Sequence, residues 1–482
     1  MQQNNIKSNL KKTKIVCTIG PSSDSVEIIE GLIDAGMNVA RMNLSHGNEK
    51  DHKKIISNLR KAAKNRNIYL PILADLPGPK YRVGEINNGI MEVKENQVIL
   101  FECDNEKLES EEINIWPSGL NKDVEVGAIL MIDDGAVELE VTAINQTKIE
   151  TIVKLSGKIS SNKAVVARGF PSMLDYFTEE TESSINFVIS NDIDYIGLSY
   201  VRNADDIKRV KTKLGDKKLR IISKIELQKA LDNLNEIIDN SDVVMVARGD
   251  LGVHLPISKV PSAQKYIINL ANKKGKEVIT ATQMLESMTE NPQPTRAEST
   301  DVHNAVLDGT DAIMLSGETS IGSYPVRAVE FMREISGIAE KDINHNYIRK
   351  LKLENINSKD VNHVDELIAH GAASIAEQLK SKLIVAFTES GSTAARVASY
   401  RPSQSVIALS PDSSAEINLG LRWGVNTINV SNFDQIEEMF QYANNIVKEH
   451  NLASIGDTIV VVAGLPIGVK GNTNLIRVIN IS

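Results

Sequence analysis

The sequence predicts an α/β protein: a (β/α)8 TIM barrel, an inserted β-rich lid domain, and a C-terminal α/β domain. Three observations carry this. Eight short apolar runs rich in valine and isoleucine alternate with helix-like segments. Between the third and fourth runs the helix is replaced by a long stretch of short alternating pieces. After Glu340 a polar, charged segment precedes a second series of apolar runs.

The eight runs are TKIVCTIG (13–20), NVARMNL (38–44), PILADLPG (71–78), YIGLSYV (195–201), RIISKIE (220–226), VVMVARGDL (243–251), EVITATQML (277–285) and AIMLSGE (312–318). They lack strict polar–apolar alternation, as strands covered on both faces do. SVEIIEGLIDAG (25–36) spaces its apolar residues as a helix does and ends in a glycine suited to close it. SAQKYIINLANKKGK (262–276) behaves alike. The break from Pro79 to Phe170 holds AVELEVTAI and KIETIVKL, with turns expected at Asn88-Gly89 and Asp134-Gly135. Residues 341–363 read as a linker and a leading helix; LIVAFTESG, SVIALSP, NTINV and DTIVVVAG follow as strands. The expected domains are therefore a barrel at 1–78 and 171–345, a lid at 79–170 and a C-terminal unit at 346–482.

Composition excludes several classes. With 482 residues the chain can bury several cores unaided, and its two cysteines, Cys17 and Cys103, exclude disulfide scaffolds and multi-cysteine metal sites. No apolar run reaches the length of a membrane span, and the first residues lack the apolar core of a signal peptide. A cytoplasmic protein without a membrane partner is expected. A net charge of −9 and only 4% aromatics argue against nucleic acid as the partner.

Barrels of this kind do chemistry at the C-terminal ends of their strands. The polar residues there are Arg41, Asn43, Ser45, Asp75, Ser199, Lys224, Glu226, Arg248, Asp250, Thr282, Ser316 and Glu318. Carboxylates such as Glu226 and Asp250 suit Mg²⁺ or Mn²⁺, and the cations suit a phosphate or carboxylate substrate. The set fits phosphoryl transfer or enolate chemistry on a small anion. Any one of these charged residues taken alone reads more readily as a surface ion pair, and only the set points to a site; His46 reads equally as a solvated loop histidine, and Cys17 reads as core. In TESGSTAARVASYRP (388–402) a strand end leads into a helix start, a phosphate nest with Arg401 nearby; ordinary helix capping is the plain alternative.

These residues resemble the pyruvate kinase family. TKIVCTIGPSS, GMNVARMNLSHG, IISKIE, VMVARGDLGV, VITATQMLESM, NPQPTRAE and DAIMLSGETSIGSYP match its motifs in its order, from Thr13 to the C-terminal GNTNLIRV. The resemblance implies phosphoryl transfer from phosphoenolpyruvate to ADP, giving pyruvate and ATP. It implies that Arg41 holds the phosphoryl group, Lys224 stabilises it in flight, Glu226 and Asp250 bind the divalent ion, and the N–H groups of Gly249 and Asp250 hold the substrate carboxylate. It gives Thr282, with Ser316, the proton path to the enolate. It gives Asn43, His46, Arg82 and Lys163 the nucleotide, with a second Mg²⁺ arriving with ADP. It makes Thr388, Ser390, Gly391, Ser392 and Thr393 an effector-phosphate loop, and the assembly a homotetramer.

Departures refine this. The family's usual Asp-Thr-Lys-Gly-Pro-Glu run is DLPGPKYRV here, so Asp75 stays while Leu76 and Lys80 replace the threonine and glutamate. In the monovalent-ion region of Asn43, Ser45, Asp75, Leu76 and Lys80, a lysine supplies a permanent charge. The chain thus resembles the lysine-bearing, K⁺-independent bacterial branch. His254 stands where the family has glutamate, without an assigned role, and SSNKAVVARG keeps Lys163 but loses the usual glycine and asparagine after it. Glu389 in the effector loop favours a monophosphate, a sugar phosphate or AMP, over fructose 1,6-bisphosphate. A metal-dependent lyase or mutase would need no ADP, and a silent relative would bind without turnover.

Overall fold

The computed structural model describes residues 10, 12–86, 89–104, 112–133, 135–170, 172–354, 364–433, 435–466 and 472–482. The expected turns Asn88-Gly89 and Asp134-Gly135 lie partly outside these residues, as does the end of the 341–363 linker.

Eight parallel strands close the first barrel. They are β1 (Lys14–Thr18), β2 (Val39–Asn43), β3 (Ile72–Asp75) and, after the insertion, β13 (Tyr195–Leu198), β14 (Arg220–Ile225), β15 (Val243–Ala247), β16 (Glu277–Ala281) and β17 (Ala312–Leu315). Each predicted run contains one of them, and the predicted fold class is borne out. The runs do not alternate because both faces are buried. In β1, Val16 points into the barrel interior with Val39, Leu73 and Met245. Its neighbours Ile15 and Cys17 pack outward against the helix layer. Both cysteines are buried and unpaired.

The insertion carries β4 (Tyr81–Val83), β5 (Ile90–Val93), β6 (Val98–Glu102), β7 (Glu112–Trp116), β8 (Ile129–Ile132), β9 (Val137–Asn145), β10 (Lys148–Leu155), β11 (Gly157–Ser160) and β12 (Ala164–Ala167). Seven of these close a second barrel in the order β10-β6-β7-β4-β12-β8-β9, and β5 pairs with β11. This unit has its own core, including Phe101, Ile115, Leu130 and Leu139. It leaves and rejoins the first barrel at the C-terminal end of β3, so its floor overhangs the strand ends.

The C-terminal unit is a five-stranded sheet, order β20-β19-β18-β21-β22, from β18 (Leu383–Phe387), β19 (Ser405–Ser410), β20 (Val425–Asn429), β21 (Thr458–Gly464) and β22 (Thr473–Asn480). Separate apolar clusters cover its two faces. It docks beneath the barrel. Leu421 joins the barrel's interior cluster, Lys14 donates to Val425 O at 2.6 Å, and Arg422 pairs with Glu277 at 3.1 Å. Arg401, expected near the phosphate nest, is buried in this junction instead. It donates to Gly309 O at 2.6 Å and Thr310 O at 3.1 Å, because it lies past the far end of helix Ser392–Ser399. Among the described residues no helix is long and apolar enough to cross a membrane.

Candidate active site

At the C-terminal mouth of the barrel, charged groups of both signs interlock. Asp75, at the end of β3, is 1% exposed. Arg41, from β2, meets its Oδ2 through Nε at 2.8 Å and NH2 at 2.7 Å, and also donates to Thr18 Oγ1 at 2.9 Å. Lys224, from β14, lies 3.4 Å from Asp75 Oδ1 and donates to Ser199 Oγ at 2.8 Å. Burial pushes the Asp75 carboxyl up, but Lys224 and Arg41 outweigh it and hold the group below its usual range. Burial likewise works against the Lys224 charge, while Asp75, Glu226 and Asp250 keep it raised.

Glu226 follows β14 and is wholly buried. Its Oε2 accepts the Tyr200 N–H at 2.6 Å. Its Oε1 sits 2.8 Å from Lys224 Nζ, in an ion pair. Asp250, in helix Arg248–His254, accepts from Lys80 Nζ at 2.8 Å and Tyr200 OH at 3.1 Å, both on Oδ1. Burial raises the Glu226 carboxyl and the neighbouring Asp250 adds to it against Lys224, whereas Lys80 and Lys224 overcome burial at Asp250 and depress it. A buried carboxylate beside a second carboxylate is a donor set that fits a small divalent cation. Among the described residues no group of three or more His, Cys, Asp or Glu gathers for a metal. The residues fit Mg²⁺ of the kind that takes one or two protein carboxylates and fills its remaining positions with water and substrate.

The loop after β16 is strained. Thr282 and Gln283 have φ of 69° and 53°. Thr282 Oγ1 accepts the Gly249 N–H at 2.7 Å and donates to Ala281 O at 2.6 Å. The Gly249 N–H expected to meet a substrate carboxylate is therefore engaged by Thr282 in this structure. Arg248, one of the polar strand-end residues, turns away from the mouth: it donates to Thr282 O at 2.7 Å and Gln283 O at 3.1 Å, and pairs with Asp301 at 2.6 Å. It props the strained turn. Glu318 is also internal, accepting the N–H groups of Leu285 at 2.9 Å and Ser316 at 2.7 Å. The Ser316 hydroxyl is buried without a partner.

On the lid side, β4 and β12 align Arg82 with Ala164, beside Lys163. Lys163 pairs with Asp133 at 2.8 Å, and Arg82 donates to Asn162 O at 3.1 Å. Burial, then the charges of Arg82, Arg41 and Lys163, lower the His46 pKa, so His46 lies in a positive field that favours an anion. Asn43 accepts the Ser45 N–H at 3.2 Å, and Leu76 is buried. Lys80 stands on the Asp250 side, its ammonium 4.4 Å above the Tyr200 ring. His254 packs edge-on to that ring at 5.7 Å; burial, offset in part by Asp250, pulls its pKa down to about 4, so it is neutral. Sequence reasoning missed Tyr200. Its only signal was an aromatic directly after Ser199 in an aromatic-poor chain.

Away from the mouth, the 388–393 loop closes on itself. Thr388 Oγ1 accepts the Gly391 N–H at 3.0 Å, Asn418 donates to Ser390 O at 3.0 Å, and Thr393 bonds Thr473 at 2.8 Å. Gly391 has φ +96°, and a Cβ there would lie 2.9 Å from Leu419 Cγ. Helix Ser392–Ser399 begins here without a side-chain cap.

Comparison with known proteins bears on the family. The family model "Pyruvate kinase, barrel domain" matches residues 10–329, and "Pyruvate kinase, alpha/beta domain" matches 366–479. A pyruvate kinase from Sporosarcina psychrophila is 41% identical over 97% of this chain and 80% of that protein. One from Clostridium perfringens is 40% identical over 97% of this chain and 99% of its own. The crystal structure of a pyruvate kinase from Cryptosporidium parvum superposes with a TM-score of 0.91 at 35% identity, covering 100% of this chain and 98% of that one.

Proposed function

The chain belongs to the pyruvate kinase family of phosphotransferases, and from that premise we propose how its own residues run the reaction between phosphoenolpyruvate and ADP. The P–O bond to the enol oxygen breaks, a P–O bond to the ADP β-phosphate forms, and the enolate takes a proton at carbon to give pyruvate. Arg41, fixed by Asp75 and Thr18, holds the phosphoryl group. Lys224 carries positive charge beside the phosphoryl in transit; its three acidic neighbours keep it protonated. Glu226 and Asp250 would hold the divalent cation, Mg²⁺ or Mn²⁺. When bound, that ion would supply positive charge for the anionic substrate. The N–H groups of Gly249 and Asp250 face the carboxylate once Thr282 releases Gly249. Thr282 and Ser316, whose hydroxyl has no partner, line the route of the proton. Asn43, His46, Arg82 and Lys163 take the nucleotide phosphates, with a second Mg²⁺.

Lys80 replaces a monovalent cation, so K⁺ is not required; its charge already lies on Asp250, and Leu76 offers no side-chain oxygen to an ion. The Thr388–Thr393 loop receives one phosphate of a sugar monophosphate or AMP and activates the enzyme. We place the protein in the cytoplasm as a homotetramer. The observation that carries the reading is Lys224 in contact with both Asp75 and Glu226 at the barrel mouth. A coupled pyruvate assay with phosphoenolpyruvate, ADP and Mg²⁺ tests it, run in K⁺ and in a tetraalkylammonium salt, beside Lys224→Met. Equal activity in both salts, abolished in the variant, is expected. Activity only with K⁺ overturns the role of Lys80; activity surviving in Lys224→Met overturns the mechanism.

A further inference from the structure

We infer that Tyr200 is a positioning residue that ties the Lys80 ammonium and the carboxylates of Asp250 and Glu226 into one fixed unit. Four contacts meet on this side chain and its peptide. The N–H donates to Glu226 Oε2 at 2.6 Å, and the hydroxyl donates to Asp250 Oδ1 at 3.1 Å. The ring carries the Lys80 ammonium 4.4 Å from its centroid, a cation–π distance. His254 braces the ring from its edge at 5.7 Å with planes 80° apart.

The backbone explains how one residue reaches all four. Tyr200 has φ +57°, a left-handed conformation that is an outlier for a bulky residue. Such strain persists where the surroundings over-determine it. Here the turn aims the N–H at Glu226 while the ring lies under the hinge segment Pro77–Lys80. Gly78 makes that approach possible: a Cβ on it would lie 2.8 Å from Tyr200 Cδ2 and 3.1 Å from Ser199 Cβ. Two residues on, Lys80 therefore arrives above the ring and beside Asp250. A flexible lysine stem alone would not hold its charge at one point; the ring face and the shared Asp250 oxygen do.

The inference rests on the proposed roles of Lys80 as built-in cation and of Glu226 and Asp250 as ion ligands, and two variants separate it from them. Tyr200→Phe keeps the ring and removes the hydroxyl; Tyr200→Leu removes both. The first readout is binding of Mn²⁺ alone to the whole enzyme, followed by the free-ion electron-spin signal. The second is the ratio of kcat in K⁺ to kcat in tetramethylammonium. Groups that orient ion ligands are worth roughly 10-fold or more in affinity, so about a 10-fold weaker Mn²⁺ affinity is expected in both variants. The salt ratio stays near that of the wild type in Tyr200→Phe and rises in Tyr200→Leu, where Lys80 has lost its seat. Tyr200→Phe retains the ring, so it stands as the control if Tyr200→Leu folds poorly. Mn²⁺ affinity within twofold of the wild type in Tyr200→Phe, or an unchanged salt ratio in a folded Tyr200→Leu, overturns the inference. A wild type that itself needs K⁺ overturns the Lys80 reading instead, and leaves the Mn²⁺ arm to decide on Tyr200.

Discussion

Asp75→Asn tests the charge lattice of the mouth. The carboxylate is 1% exposed, and its partners Arg41 and Lys224 have side chains 10% exposed, so solvent screens little of the interaction. Asparagine keeps the shape and removes the charge. It leaves two buried cations short of one anion and turns an amide N–H₂ toward a guanidinium or an ammonium. Removing one partner of a buried pair costs about 3 kcal/mol or more. At roughly 2–4 °C per kcal/mol for a unit of barrel size, the melting temperature falls by about 6–12 °C. The folded Asp75 carboxyl is held below its usual range, so its stabilisation is present above the unfolded value near ~4 and is lost as pH falls through the folded value. The gap between wild type and variant thus holds at neutral pH and narrows only in acid. Inorganic phosphate, an anion for the same cations, should recover part of it. The assay is thermal melting in phosphate-free buffer at pH 7.5, repeated with phosphate. A variant melting within 2 °C of the wild type in phosphate-free buffer would refute the reasoning.

Two further expectations concern the junction beneath the barrel. Burial, only partly offset by Glu340, lowers the Lys14 pKa to about 8. Below that pH both folded and unfolded chains carry the charge and the desolvation penalty is present in full; as pH rises past about 8 the folded lysine loses its proton first. Wild-type stability should therefore gain on Lys14→Met between about pH 8 and 10, by at most ~1.4 kcal/mol per pH unit; denaturant melts with a flat difference would contradict the assignment. Arg401→Ala removes the buried guanidinium that donates to the carbonyls of Gly309 and Thr310 and lies 4.7 Å over Trp423. A loss of about 3 kcal/mol is expected, seen calorimetrically as the C-terminal unit melting apart from the barrel; one unchanged transition would count against this role.

The fold was legible because its signals are local. Each barrel strand is a short, largely apolar run, and the candidate site residues Arg41, Asp75, Lys224 and Glu226 lie at or near a strand's C-terminal end. The inserted barrel announced itself by alternation, since only one face of its strands meets the core. Pairings across the molecule were not legible. Arg248 and Arg401 carry the same charge as Arg41, yet one props the Thr282 turn and the other clamps the C-terminal unit to the barrel. Only the packed neighbours decide which carbonyl or carboxylate a guanidinium meets.

By itself, then, the sequence determined the strand count, the break after β3 and the inventory of charges at the strand ends. The tertiary structure decided their grouping. It set Tyr200 in a left-handed turn, brought Lys80 from the lid hinge onto Asp250 from β15's following helix, and engaged the Gly249 N–H with Thr282. Those choices depend on backbone dihedrals and on which strands close side by side. Hydrophobic periodicity encodes neither, because it reports only which face of an element is buried.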